Sequence, residues 1–422
     1  MVAVLMALLL AAGPETDLDQ YLAEAVDSHP ALEQRHAEWR ASLARIPQVT
    51  SLDDPVFSYA YFIESETKHM RFAIAQKFPW FGTLTARGNK AEAAANAALS
   101  RLHAARDTLV YRVKRAYYEY ALLAERLEIV LAQADVLDYV EDIVDGKLAL
   151  GLATDDELLR VSIEKTKLDD RHAGLEQLRP ALSQRLAAAI GRQPQETLPW
   201  PDETDMPPEP PPPSNIPARI RQANPNLQAI EHRIAALDRE EELAHKRGLP
   251  GFTLGLAYAP MQNRNSMRGA VNGDTLTLPG GNREDDLMVS LSVNVPLWRK
   301  RIRGGIEEAR RRRSAAGQEQ QALFLELESA AEMAHYDMED AARRYRLFQD
   351  SLIPQAQMNF DSLQEKYAAD AAGKTFIDIL DAVRQLLDFQ LEAARARTRW
   401  QQANAQLEML MGGAGQEAAQ AE

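Results

Sequence analysis

Two aspartates, Asp378 and Asp381, are the residues of this chain whose type and spacing most directly suggest chemistry. A separation of three places both carboxylates on one face of a helix. Neighbouring carboxylates repel each other unless protons or cations neutralise them, so a pair of this kind attracts cations. A local alternative is that Thr375 and Asp378 form a capping box, in which the acid only starts a helix.

The same capping pattern occurs at Thr154 and Glu157. Capping is the favoured interpretation for that pair, because a threonine followed three residues later by an acid is the ordinary start of a helix. No cap accounts for Asp381. The two patterns therefore predict helix starts at both places and leave Asp381 without a local explanation.

Other kinds of chemistry find little support in the sequence. The eight histidines are scattered and form no metalloprotease pair, and no glycine-rich phosphate loop is present. The chain has no cysteine, which excludes disulfides, thiolate metal sites and thiol nucleophiles. A net charge of −14 argues against nucleic acid as a partner. We therefore expect no enzymatic activity, no cofactor and no metal centre.

Long helices dominate the predicted fold, because the chain is rich in Ala and Leu and has only 7% aromatic residues. A helix-strand-strand-helix unit occurs twice, which makes the fold mainly α with a small β part. The predicted segments are a signal-peptide-like stretch at 1–13, a first repeat at 17–192, a proline-rich linker at 193–217, a second repeat at 216–412 and a disordered tail at 413–422.

A long helical hairpin follows the strands in each repeat. Helical patterns of about 70 residues run over 83–150 and 301–371, which corresponds to roughly 100 Å of helix. Gly151 and Gly373 end them, and a return helix of about 40 residues follows each glycine. Such lengths exceed what a compact domain needs.

Four amphipathic strands are predicted from alternating apolar and small or polar residues, at 55–63, 70–78, 252–260 and 288–296. Their lengths suit a tilted bilayer crossing, and the polar connections 64–69 and 261–286 are predicted to be loops facing water. Four strands cannot close a barrel, and open edges are not tolerated in lipid, so a spanning chain must oligomerise. The residues at the strand ends suggest either an interfacial belt or a packed elbow: Phe78, Pro79, Trp80, Phe81, Pro296 and Trp298.

These features together resemble the TolC family of outer-membrane efflux proteins. The resemblance rests on the duplication, on the elbow Phe78-Pro79-Trp80-Phe81-Gly82, and on the tips Leu150-Gly151-Leu152 and Gly373-Lys374-Thr375 before Asp378-Ile379-Leu380-Asp381. It implies a homotrimer in the outer membrane of a Gram-negative bacterium, with a twelve-strand β-barrel continued by an α-helical tunnel in the periplasm. It also implies a periplasmic adaptor, an inner-membrane pump of the RND type, and contact with outer-membrane lipid.

The resemblance also assigns roles to individual residues. Asp378 and Asp381 correspond to the aspartates at the periplasmic aperture, and Lys374 and Glu157 to a closing contact, although one residue fewer separates Gly373 from Asp378 than is common in the family. The hairpin tips correspond to the adaptor-contact surface: Leu150, Gly151, Leu152, Thr154, Gly373 and Thr375. The elbow and the tip of the first half are closer to the heavy-metal efflux branch than to the drug-efflux branch, so the resemblance favours metal cations over drugs as cargo. The alternative function is a periplasmic adaptor or a coiled-coil structural protein.

Overall fold

The computed structural model of the chain describes residues 17–63, 70–193, 197–201, 215–260, 269–271, 274–276, 285–369 and 374–413. The predicted signal-peptide-like segment at 1–13, most of the proline-rich linker, and the tail from 414 onward lie outside the described residues. The described part is mainly helical with a small antiparallel sheet, which confirms the predicted fold class.

Nine α-helices occur among the described residues. Pro30 and Pro225 each begin a helix, a position that tolerates proline because its missing N–H would have no helical partner there. The helices are α1 (Asp17–Ser28), α2 (Pro30–Thr50), α3 (Thr83–Ala149), α4 (Asp155–Ile190), α5 (Ile216–Ala223), α6 (Pro225–Lys246), α7 (Arg299–Leu347), α8 (Ile353–Ala369) and α9 (Lys374–Met411).

A π-helical segment, Phe348–Leu352, separates α7 from α8. The helical stretch predicted over 301–371 is thus helical as far as residue 369, where the described part ends, and it contains one wider turn. Pro354 has no N–H to donate within the helix, and its ring crowds the preceding turn. The wider turn relieves this crowding, and the N–H of Ile353 donates to the carbonyl oxygen of Phe348.

Six strands occur among the described residues: β1 (Val56–Tyr61), β2 (Met70–Phe78), β3 (Gly251–Ala259), β4 (Gly269–Val271), β5 (Asp274–Leu276) and β6 (Asp286–Asn294). Four of them form one antiparallel sheet in the order β1-β2-β3-β6. The other two, β4 and β5, pair with each other inside the connection that the sequence predicted to be a loop, so that prediction was wrong for these six residues.

The strand register collects apolar side chains on one face of the four-stranded sheet. Phe57 pairs with Ile74, Ile74 with Leu256, and Leu256 with Val289, so one apolar row crosses all four strands. The opposite face carries small or polar residues in matching rows, including Ser58, Ala73, Ala75, Gly255, Ser290 and Ser292. The alternation predicted from the sequence is thus continuous across the whole sheet.

The apolar face is open to its surroundings. Val289 is 70% exposed, Leu291 68% and Phe57 67%. A contiguous apolar surface of this kind is rare on proteins that work alone in water, and it marks contact with lipid or protein. No helix in the described ranges is both long enough and apolar enough to cross a bilayer.

The chain divides into two compact units. Of the described residues, those within 1–36, 100–228 and 322–422 form the first unit, whose apolar core includes Trp400, Met338 and Leu407. The second comprises 37–99 and 229–321 and contains the four-stranded sheet.

Part of the predicted linker is packed against helices of the first unit. The N–H of Leu198 donates to the Ser183 hydroxyl at 2.7 Å, and the Tyr120 hydroxyl donates to the carbonyl oxygen of Leu198 at 2.8 Å. Trp200 stacks on Tyr120 with ring centroids 5.0 Å apart. Residues 197–201 are therefore an anchored segment rather than a free spacer, which the proline content alone did not reveal.

A buried carboxylate lies in the first unit. Asp107 of α3 is 2% exposed, and neither of its carboxylate oxygens has a hydrogen-bond partner among the described residues. Burial raises the pKa of Asp107 to about 6, and the nearby Arg106 opposes that shift only in part. The folded chain consequently holds this proton more tightly than the unfolded chain does.

We expect Asp107→Asn to stabilise the protein at neutral pH. The charged form of Asp107 destabilises the folded state once the pH passes the unfolded pKa of 3.8, and the penalty is complete above about pH 6. The increase in the free energy of unfolding should reach up to about 3 kcal/mol at pH 7.5 and vanish near pH 4. Thermal unfolding from pH 4 to 7.5 measures it, with the exposed Asp169→Asn as control. An equal or lower Tm at pH 7.5 would contradict the assignment.

Candidate functional site at the helical hairpin tips

The tip of the first hairpin is a tight reversal that requires glycine. Gly151 has a φ of 69°, in the left-handed region that residues with a Cβ seldom adopt. The N–H of Leu152 donates to the carbonyl oxygen of Lys147 at 2.9 Å, which closes the last turn of α3. Leu150 is 75% exposed beside this turn, and Leu152 is also exposed. The first tip therefore presents two leucines to its surroundings.

The predicted capping box begins α4. The N–H of Glu157 donates to the Thr154 hydroxyl at 3.4 Å, and the Thr154 N–H donates back to the Glu157 carboxylate at 3.3 Å. This confirms the capping interpretation of the pair. Capping thus accounts for both residues within a single chain.

Glu157 also joins the two hairpins. The Tyr367 hydroxyl donates to the same Glu157 carboxylate oxygen at 3.2 Å. Burial, reinforced by this carboxylate, raises the pKa of Tyr367 to about 12. The ammonium of Lys147 lies 3.9 Å from the centre of the Tyr367 ring and donates to the Tyr367 carbonyl oxygen. We call Lys147, Thr154, Glu157 and Tyr367 the tip cluster. No sequence pattern indicated Lys147 or Tyr367.

The second tip is described only from Lys374 onward. Gly373 lies outside the described residues, as do the side chains of Lys374 and Thr375. The second capping box and the closing contact between Lys374 and Glu157 therefore stay predictions.

Asp378 and Asp381 are both exposed on α9, on the side opposite the buried Phe376 and Ile379. This agrees with the shared helix face predicted from their spacing. One Asp381 carboxylate oxygen accepts a hydrogen bond from the Arg384 guanidinium at 2.7 Å. Within one chain Asp381 is consequently part of an ion pair.

Arg384 connects Asp381 to α4. Its guanidinium forms a bidentate pair with Glu164, donating to both carboxylate oxygens at 2.7 and 3.1 Å. These bonds, assisted by Lys167, lower the pKa of Glu164 to about 2. The three residues Glu164, Asp381 and Arg384 help to line a cavity of about 220 Å³. The sequence did not indicate Glu164 or Arg384, because 220 positions separate them.

The elbow residues of the second unit divide between two roles. The Trp80 ring stacks on Phe252 at 5.8 Å, which fits a packed elbow. Phe81 and Trp298 are 78% and 75% exposed, and Phe78 is 37% exposed. All three side chains are therefore available to an interface. Pro79 and Pro296 are half-buried at the ends of β2 and β6. The packed elbow therefore fits Trp80, and the interfacial belt fits the exposed Phe81 and Trp298.

No cluster of three or more His, Asp or Glu side chains suited to a metal ion occurs among the residues that the structure describes.

The known proteins that this chain resembles in sequence are outer membrane efflux and export proteins. Residues 216–413, the second predicted repeat, match the family described as "Outer membrane efflux protein". Two curated relatives, the pyoverdine export outer membrane proteins OpmQ of Pseudomonas aeruginosa and Pseudomonas putida, are 24% and 23% identical over 324 residues, or 73% of this chain. The aligned region spans 62% and 63% of the length of those relatives.

Solved structures share the fold over nearly the whole chain. The outer membrane protein VceC from Vibrio cholerae matches with a TM-score of 0.74 and 18% identity, over 94% of this chain and 96% of that chain. CusC matches with a TM-score of 0.73 and 14% identity, over 94% and 92%. This likeness in sequence and in fold confirms the resemblance to the TolC family.

We expect Arg384→Gln to loosen the hairpin tips. The substitution leaves the largely buried Glu164 carboxylate without its main partner, a change that typically costs a few kcal/mol locally. Hydrogen–deuterium exchange should become faster at the starts of α4 and α9. Arg160→Gln, which removes only an exposed pair with Asp156, is the control. Equal exchange in both variants would count against a positioning role for Arg384.

Proposed function

We propose that this chain is one of three identical subunits of an outer-membrane duct that passively conducts cargo out of the cell. Three copies of the four-stranded sheet would close a twelve-strand barrel, and the helices of the same three chains would form a tunnel in the periplasm. The observation that carries the proposal is the sheet itself, which has one exposed apolar face, one small and polar face, and two edge strands, β1 and β6.

The two faces of the sheet suit two different environments. Leu291 and Val289 belong to the apolar face, which lipid would cover, while Ser290 and Ser292 belong to the face that would line water. Transmembrane barrels alternate in this way along every strand. The exposed Phe81 and Trp298 lie where the strands end, the depth at which aromatic residues favour the membrane interface.

The hairpin tips are proposed to contact a periplasmic adaptor, which would connect the duct to an inner-membrane pump of the RND type. Leu150 and Leu152 on the first tip, with Ile377 beside the second, are exposed apolar residues that a partner could cover. The tip cluster holds the two hairpins of one chain together, so that they would meet the partner as one surface.

A periplasmic adaptor or a coiled-coil structural protein is the alternative function. An adaptor would carry one helical hairpin with flanking β-rich domains, whereas this chain has two hairpins, α3 with α4 and α7–α8 with α9. A coiled-coil scaffold would not need a sheet with an exposed apolar face. The duct is therefore the better supported proposal.

We expect Leu291→Arg to prevent stable insertion into the outer membrane. A charged residue on the lipid face near the bilayer centre costs about 2–4 kcal/mol. The neighbouring Ser292→Arg places the same charge on the opposite face of β6 and serves as the control. Membrane fractionation, with gel mobility of unheated samples, measures insertion and assembly. Similar insertion of both variants would contradict the assigned faces.

We expect the double variant Asp378→Asn, Asp381→Asn to reduce the preference of the channel for cations over anions. Three-fold symmetry would place six of these carboxylates around one axis, where they attract cations. Reversal potentials across planar bilayers measure the preference, and Asp388→Asn, an exposed aspartate further along α9, is the control.

Lys374→Ala should raise the ion leak through the closed channel, because it removes the predicted closing contact with Glu157. Unchanged conductance and leak in that variant would exclude the closing contact.

The cargo is proposed to be set by the companion pump, with metal cations favoured over drugs on the resemblance of the elbow. Deleting the gene and testing tolerance to a panel of divalent metals and drugs decides between them. We expect lost tolerance to metals. New sensitivity to drugs with unchanged tolerance to metals would overturn the preference and leave the duct intact.

A further inference from the structure

A large cavity lies within the second unit, where four helices meet the base of the sheet. Its volume is about 990 Å³, which is large enough for a drug-sized molecule. The walls come from α2, α3, α6 and α7, and Gly251 and Asn294 line it from the ends of β3 and β6. These two residues pair with each other on the small and polar face of the sheet.

The lining of this cavity is basic, although the whole chain has a net charge of −14. One acid, Glu308, faces six cationic side chains, and a 2.6 Å salt bridge to Arg312 already engages that acid. The six cations are Arg45, Arg87, Lys90, Lys246, Arg247 and Arg301.

Four of the six cations have no neutralising partner within the described part of the chain. Lys90 pairs with Glu240 at 2.9 Å and Lys246 with Glu242 at 3.5 Å. The remaining four form no salt bridge or side-chain hydrogen bond with any residue that the structure describes: Arg45, Arg87, Arg247 and Arg301. Their guanidinium groups are available to a ligand.

Arginines of α7 that lie a short distance from the cavity are paired with acids. Arg310 bonds Glu241 at 2.7 Å, and Arg313 bonds Asp238 at 2.6 Å. Among the described residues, the acids of α6 thus neutralise the arginines beyond the cavity and leave four of those inside it unpaired.

We propose that this cavity binds a soluble anion bearing two or more carboxylate or phosphate groups, so that a metal dwells here only when it is held in an anionic complex. The inference rests on the proposed function, since it names a form of cargo that dwells at one place in the duct. Guanidinium groups bind carboxylates and phosphates through two parallel hydrogen bonds. A recess lined by one sign of charge also concentrates counter-ions. A bare metal cation is repelled here, so cargo that dwells in the cavity carries negative charge.

The first test is binding of inorganic pyrophosphate and of citrate to the full-length protein in a non-ionic detergent, measured by calorimetry. We expect binding that weakens with added salt, because ions screen the arginine charges. The double variant Arg87→Gln, Arg301→Gln should bind at least about tenfold more weakly, since each lost charged hydrogen bond is worth roughly that factor. Arg219→Gln, an exposed arginine of α5, should bind as the unchanged protein does. No binding, or equal binding in the double variant, would overturn the proposal.

A second arm distinguishes a soluble anion from a lipid headgroup, which offers the same phosphate chemistry. Vesicles of phosphatidylglycerol replace pyrophosphate, and retention of the lipid is compared between the unchanged protein and the double variant. We expect the double variant to retain as much lipid as the unchanged protein. Loss of lipid with unchanged pyrophosphate binding would assign the arginines to a headgroup and overturn the proposal.

Planar bilayer recordings separate this inference from the proposed function. We expect the unchanged protein to form pores, and the double variant to conduct with its reversal potential in a KCl gradient shifted towards cation preference. Pores with no such shift would contradict the anion site alone. Absence of pores from the unchanged protein would contradict the duct itself, whereas its pyrophosphate binding would still report on the cavity.

Discussion

The open edges of the four-stranded sheet are the constraint on which the rest of the account depends. Strands β1 and β6 each have one neighbour in the sheet, so the outer backbone groups of both strands need partners. Water could supply them, but the apolar side chains of the same strands would then also face water. Lipid would suit the side chains but leaves the backbone unsatisfied. Closure by further copies of the same sheet meets both demands, and it requires an oligomer.

Contacts among the helices hold the two hairpin tips of one chain in a fixed position relative to each other. Gly151 permits the reversal, Thr154 and Glu157 fix the start of α4, and Tyr367 ties the second hairpin to the first through that same carboxylate. Further along, Arg384 joins the two return helices. The bonds from Tyr367 to Glu157 and from Arg384 to Glu164 are polar contacts between residues 210 and 220 positions apart in sequence. Such contacts fix geometry more than they add stability.

Local patterns predicted much of this fold. Alternation located the four long strands, glycine and proline marked helix ends, and the spacing of Thr154 and Glu157 indicated the capping box. The short strands β4 and β5 have no comparable pattern. The π-helical segment depends on how the chain accommodates Pro354. Pairings such as Arg384 with Glu164, and the unpaired arginines of the cavity, arise only when distant helices pack, so no single stretch of sequence reports them.

Disulfide cross-linking between neighbouring sheets tests the central claim most directly, because the chain has no cysteine of its own. Ser58→Cys on β1 is combined in turn with Met288→Cys, Ser290→Cys or Ser292→Cys on the same face of β6, and membranes are oxidised. A disulfide needs Cβ atoms about 4 Å apart, so only adjacent edges can react. The account predicts that one pairing gives dimers and trimers and nothing larger, while single variants give neither. Failure of every pairing to link chains, or a ladder continuing past three, would contradict it.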